Sequence, residues 1–350
     1  MKDDDPARTF ANIHLIGLCR TGRLFAQYIP VPNKSVAAGL QLLSTSSSHT
    51  FLAAKPMTPY FFGETQQQLF GALHHALASK PEVHRTAVIC PPIGQEYIRS
   101  HWCLRLLARQ LSRKGINVLR LDYRGVGDSA GSNEETTSIK QWHQDVHNAI
   151  DFACEKTDSK NVMLIGLRYG SAIASAVAAE SSKVNSLILW EPVIDAAAYL
   201  QSLRTMHKRM VDLWVCKLKT PNHSDQEEIL GSIYSRQLLD ELENTALDLS
   251  ALDQPQFIVD LYEKRDAYTV NEMQQFMPVE DENSWTNLQL LETGWLRAAT
   301  TRQVSLMADE MFYRLENFKQ LGGYQNSAAS YAPGLNSGDG TISTAATSSR

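Results

Sequence analysis

Residues 161–180 read NVMLIGLRYGSAIASAVAAE. The first part, NVMLIGL, is a near-continuous apolar run of strand length, and SAIASAVAAE has the small-residue composition of a closely packed helix. Between them Gly166-Leu167-Arg168-Tyr169-Gly170 makes a five-residue strand-to-helix turn. A turn bracketed by glycines in this context is a nucleophile elbow, G-x-S-x-G, in which a strained central residue projects a reactive hydroxyl from the start of a helix. Here the central residue is Arg168, whose guanidinium stays protonated at physiological pH and cannot attack.

Outward from the elbow, strands and helices alternate. RTAVICPP (85–92) is a short strand stopped by two prolines, and HWCLRLLARQLSRKG (101–115) has helical apolar spacing and a glycine stop. INVLRLDYRG (116–125) is a strand entering a glycine-rich turn. SIKQWHQDVHNAIDFACEKT (138–157) is a helix with Ile139, Trp142, Val146, Ile150 and Phe152 on or near one face, and VNSLILWEP (184–192) is a further strand. Alternation with near-continuous apolar strands predicts an α/β fold with a mostly parallel, doubly wound sheet. After Pro192 the pattern is less regular. AAAYLQSLRTMHKRMVDLWVCKL reads as a long helix, the stretch from Pro221 to Leu252 as a polar loop and then a helix, and QPQFIVDLYE as a return to the sheet. NEMQQFMPV reads as a helix, TNLQLLET as a final strand, and SLMADEMFYRLENFKQL as a closing helix. The expected organisation is a poorly ordered extension at 1–56, with Met57 a candidate start, then the first half of the core at 57–195. A helical cap follows at 196–252, the second half of the core at 253–322, and a Ser/Gly-rich disordered tail at 323–350.

Composition narrows the classes of function. Of 350 residues 43% are hydrophobic and 20% charged, as in a globular protein, and the net charge of −5 argues against nucleic acid as a partner. No apolar run approaches the roughly 20 residues of a membrane span, and the acidic start MKDDDPARTF is unlike a signal peptide, so a cytoplasmic location is expected. The five cysteines are scattered without CxxC spacing, which indicates neither a zinc site nor a disulfide framework, and no cofactor is implied.

A displaced nucleophile would have to come from Ser171 just past the elbow, Ser129 in GVGDSAG, or Cys90 at the end of AVIC. The plainer readings are a local backbone hydrogen bond for Ser171, a turn role for Ser129 and core packing for Cys90. The base is missing as well. The chain order on this scaffold is nucleophile, acid, histidine, and the ten histidines end at His223. His143, His147, His207 and His223 lie on an early helix or in the expected cap. Asp260, Glu263 and Asp266 stand where the acid would, and without a histidine they read as an ionised surface. Arg168 at a helix N-terminus makes an anion site, with Tyr169, with backbone amides of Ile93 and Gly94 after CPP, and with Arg124 when it faces the pocket. Alternatively Arg124 pairs locally with Asp128, and Arg168 is locked to Glu96, Asp122 or Glu191 as a structural ion pair.

The stretches CPPIGQEY, DYRGVGDSAG, LIGLRYGSAIA and LILWEPVIDAAAYL, with PYFFGETQQQLFGALH before them, resemble the exosortase-associated hydrolase-like proteins of the serine aminopeptidase-like group of α/β-hydrolases. The resemblance spans roughly 57–320 and weakens after 220. It implies an α/β-hydrolase fold with a cap inserted between strands. It also implies an arginine at the elbow, as Arg168 is here, and an aromatic segment such as ETGWLRAAT with Trp295 in place of the histidine loop. Its further implication is a bacterial cytoplasmic protein associated with surface-polysaccharide or protein-sorting systems. The combined expectation is a non-catalytic protein that binds a small anionic or acyl ligand, or a partner protein. The alternatives are a hydrolase or acyltransferase acting on ester, thioester or peptide bonds through an unusual nucleophile, and a closed scaffold that works through its cap surface.

Overall fold

The computed structural model describes residues 57–77, 85–213, 225–268 except 246, 248, 250 and 251, 274–279, 302 and 304–313. The eight-stranded sheet is built from β1 (Met57–Phe62), β2 (Leu69–His74), β3 (Arg85–Cys90), β4 (Ile116–Leu121), β5 (Val162–Leu167), β6 (Val184–Trp190), β9 (Gln256–Leu261) and β10 (Gln274–Val279). Its order is β1-β2-β4-β3-β5-β6-β9-β10. β1, β2 and β4 pair antiparallel in succession, and every pairing from β4 to β10 is parallel. β5, which delivers the elbow, lies between β3 and β6 with all six residues buried, as its uninterrupted apolar sequence requires.

Helices cover both faces. α1 (Gly94–Arg113) and the helix at 304–313 pack Leu104, Leu107, Leu111, Val304, Ala308 and Met311 into one core. α2 (Ile139–Thr157) and α3 (Tyr169–Glu180) pack Trp142, Val146, Ile150, Ile173 and Val177 into the other, which continues into α4 (Ala196–Asp212) and α5 (Arg236–Glu243) through Tyr199, Leu203, Leu238 and Leu242. α2 starts at a capping box in which the Ser138 side chain and Gln141 satisfy each other's backbone donors, and it stops at Asp158 in the left-handed region, φ 51°.

Two sequence assignments are corrected. The stretch read as loop before α5 holds a hairpin, β7 (Gln226–Ile229) and β8 (Ser232–Ser235), turned at Leu230–Gly231, both at positive φ. Residues 274–279, read as helix, form β10 parallel to β9. In the sequence Met273, Phe276 and Met277 have helical i, i+3, i+4 spacing, but backbone pairing with β9 decides, and Pro278 is tolerated because β10 ends the sheet among the described residues. The expected final strand TNLQLLET, Trp295, the extension at 1–56 and the tail at 323–350 lie outside the described residues.

Candidate functional site

Arg168 is the N-cap of α3 with φ 55° and ψ −123°, a sparsely populated conformation for a side-chain-bearing residue. Packing enforces it. A Cβ on Gly170 would strike the carbonyl oxygens of Cys90 and Pro91, and one on Gly166 would strike the backbone of Ser171. The Arg168 amide donates to the Trp190 carbonyl at 2.9 Å, which ties the turn to β6.

The guanidinium is held from three sides. Nε donates to Glu96 Oε1 at 3.2 Å, Nη1 donates to the Glu191 carbonyl at 2.9 Å, and the guanidinium carbon lies 5.6 Å from the centroid of the Tyr199 ring. The second Glu96 oxygen accepts from the Tyr199 hydroxyl at 2.9 Å. Glu96 sits in the first turn of α1, where the helix dipole favours a carboxylate. The Arg168 and Glu96 side chains are 12% and 4% exposed. Burial by itself would lower the Arg168 pKa, but Glu96 and then Glu191 outweigh it and hold the guanidinium above its usual value. Burial, with Glu96 beside it, likewise pushes the Tyr199 hydroxyl up. Of the three partners the sequence offers Arg168, Glu96 therefore supplies the carboxylate and Glu191 a backbone carbonyl, while Asp122 is taken by the Tyr97 hydroxyl at 2.8 Å.

The loop before α1 is closed. Ile93 is buried, and the Tyr234 hydroxyl from β8 occupies the space where a Cβ on Gly94 would lie. Tyr169 points its hydroxyl to the Leu242 carbonyl at 3.3 Å and stacks on Tyr199 with centroids 6.1 Å apart, so it braces α4 and α5. Arg124 does not pair with Asp128. It donates to Asp145 through Nε and Nη2 and to Gln67 through Nη1, because α2 brings the buried Asp145 carboxylate within 2.7 Å.

The candidate nucleophiles separate. Burial pushes the Cys90 thiol up to about 12, so it stays protonated. Ser129 holds a turn, donating to the Asp122 carbonyl and accepting from the Phe70 amide. Ser171 corrects the sequence reading: its hydroxyl is fully buried and makes no hydrogen bond among the described residues. Asp260 is a second correction. It does not join an ionised surface but is fully buried at the end of β9, where it accepts from the Tyr268 hydroxyl, the Leu261 amide and Lys264. Glu263 and Asp266 are exposed. None of the six described histidines hydrogen-bonds to Ser171, Ser129 or Cys90. His207, for example, accepts from the Leu230 amide at 3.0 Å. The sequence reading missed Tyr199, Tyr234 and Tyr268; of these only Tyr199 stood in a stretch already singled out, LILWEPVIDAAAYL.

A family model described as serine aminopeptidase, S33, matches residues 97–263. Among solved structures, the α/β hydrolase GrgF from Penicillium sp. sh18 is 18% identical with a TM-score of 0.52, covering 74% of this chain and 100% of that one. Est1E from Butyrivibrio proteoclasticus, solved with ferulic acid bound, is 15% identical with a TM-score of 0.50, over 74% and 99%. The hypothetical protein PA2218 from Pseudomonas aeruginosa is 14% identical with a TM-score of 0.52, over 73% and 93%. At these identities the likeness is one of fold. No curated protein matches the chain.

Proposed function

We propose that this chain, which has the α/β-hydrolase fold, is a non-catalytic member of that fold that works by binding a partner protein, with its elbow converted into an internal brace. The observation that carries the reading is the Glu96 carboxylate, which accepts from both Arg168 and Tyr199. A small anion entering at the elbow would have to compete with Glu96, with Glu191 close by and no second arginine bonded there among the described residues, so binding through the protein surface is favoured over an anion site. The brace joins the first turn of α1, the elbow, the end of β6 and α4, and it fixes the outer elements as a rigid face. The resemblance to the exosortase-associated hydrolase-like proteins supports a bacterial cytoplasmic setting beside surface-polysaccharide or sorting systems.

The second reading, turnover through a displaced nucleophile, rests on the unpartnered hydroxyl of Ser171. A fluorophosphonate probe separates the two. No labelling of the wild type or of Arg168→Ser, and no hydrolysis of short acyl esters, is expected. Stoichiometric labelling of one serine in the wild type would overturn the non-catalytic reading.

A further inference from the structure

α1 has a solvent face that combines large apolar and basic side chains. Ile98, His101, Trp102, Arg105, Arg109 and Arg113 share one side of the helix by their i, i+3 and i+4 spacing, and all six are exposed. Ile98 is 63% and Trp102 46% exposed. The only acidic residue of α1 is Glu96, which is buried against Arg168. Among the described residues none of Arg105, Arg109 and Arg113 has an ion-pair partner. Arg105 instead lies over the Trp102 ring, 5.5 Å from its centroid. Arg120 on β4, donating through Nε to His74 at 3.3 Å, adds a fourth guanidinium beside this face. Of the carboxylates at either end, Asp122 is engaged with Tyr97 and the Asp128 amide and Asp309 with Lys114 and Arg85, while the exposed Asp128 lies near His101.

Three like charges at i,i+4 spacing are a cost to an isolated helix, and an exposed tryptophan and isoleucine add nothing to the core. Both features fit one kind of surface. We infer that the outer face of α1 docks onto an anionic phospholipid membrane, with Ile98 and Trp102 entering the headgroup layer and Arg105, Arg109 and Arg113 on lipid phosphates. The face is about 22 Å long from Ile98 to Arg113 and lies along the helix axis, so every side chain on it can reach one plane. Tryptophan with arginine at a headgroup boundary is the pattern of interfacial helices, and guanidinium forks match phosphate oxygens. The inference is independent of the elbow and of whether the protein turns anything over.

The test is co-sedimentation of the full chain with vesicles of equal parts phosphatidylserine and phosphatidylcholine. Binding is expected there, is lost at high salt, and is absent from phosphatidylcholine alone. Replacing Arg105, Arg109 and Arg113 by Gln lowers partitioning roughly a hundredfold, at about fivefold per arginine. Trp102→Ser lowers it while leaving the salt dependence. The melting temperature of the triple variant stays equal or rises because the charge repulsion is gone, so lost binding is not lost folding. Failure to bind the anionic vesicles, equal binding to phosphatidylcholine alone, or wild-type binding by the triple variant would overturn the assignment. Equally tight binding to soluble polyphosphate, unaffected by Trp102→Ser, would also overturn it by reassigning the face to a free polyanion.

Discussion

Replacing Arg168 by Ala tests the brace most directly. The substitution leaves the Glu96 carboxylate, 4% exposed, with only the Tyr199 hydroxyl as a partner, and it frees the Glu191 carbonyl. Breaking a buried pair on one side typically costs 3–5 kcal/mol. Because Tyr199 still satisfies one oxygen and Arg168 is 12% exposed, the lower end applies, about 3 kcal/mol. Ala retains the unfavourable φ of 55°, whereas Gly relieves it, so Arg168→Gly is expected to be milder by about 1 kcal/mol. Removing both charges, Arg168→Met with Glu96→Leu, is expected to be nearly neutral, so in the cycle with the single variants Arg168→Met and Glu96→Leu the coupling is expected to reach at least about 3 kcal/mol. Urea unfolding followed by far-UV circular dichroism reads the wild type and each variant. A cost below about 1 kcal/mol for Arg168→Ala, or single-mutant costs that simply add, would refute the brace.

Three other outcomes follow from the same geometry. Gly170→Ala forces a methyl group into the Cys90 and Pro91 carbonyls and is expected to cost about 3 kcal/mol, whereas Gly231→Ala, with nothing near its Cβ, costs about 1 kcal/mol through its φ of 82°; denaturation midpoints compare them. Cys90, with its thiol near 12, is expected to resist iodoacetamide in the native protein at pH 8 and to react only on unfolding, while the half-buried Cys154 reacts before it, as peptide mapping will show. His74 is lowered to about 4, chiefly by burial and then by Arg120, and its neutral ring accepts the Arg120 proton. The folded-state value lies below the unfolded 6.5, so this stability is fully present above pH 6.5 and is lost as pH falls toward 4; about 2 kcal/mol of it goes between pH 7 and pH 5, and His74→Gln is expected to flatten that loss.

What was legible in the sequence was what local pattern dictates. VMLIGL has no polar residue and could only be an interior strand, and the glycines at 166 and 170 marked a tight turn whose need for small residues is confirmed by the backbone atoms they would strike. The hairpin β7–β8 escaped because QEEI and SIYS are four-residue, half-polar strands with too little periodicity to separate them from loop. Asp260 was read as ionised surface because no later histidine was there for it to orient; Tyr268, eight residues on, supplies a hydroxyl to it instead. Tyr199 and Tyr234 were out of reach for a different reason. They stand 31 and 66 positions beyond Arg168, and only tertiary packing brings the first onto the guanidinium and the second over Gly94.

The elbow's strained backbone is not itself a sign of chemistry. Gly170 lies against the Cys90 and Pro91 carbonyls and Gly166 against Ser171, and the Arg168 amide completes a sheet bond to Trp190. These contacts fix φ and ψ whatever side chain position 168 carries, so the turn persists as a packing solution when a nucleophile is absent. The side chain then projects into the space between α1 and α4, where a hydroxyl would be too short to reach Glu96 and a guanidinium is long enough to bond to it and to the Glu191 carbonyl at once. Once Glu96 and Tyr199 are built around that cation, restoring a serine alone would leave a buried carboxylate with only the Tyr199 hydroxyl, and no described histidine is bonded to the candidate nucleophiles. The arginine and its carboxylate are therefore one unit: exchanging either without the other lowers stability before it can create a reactive centre.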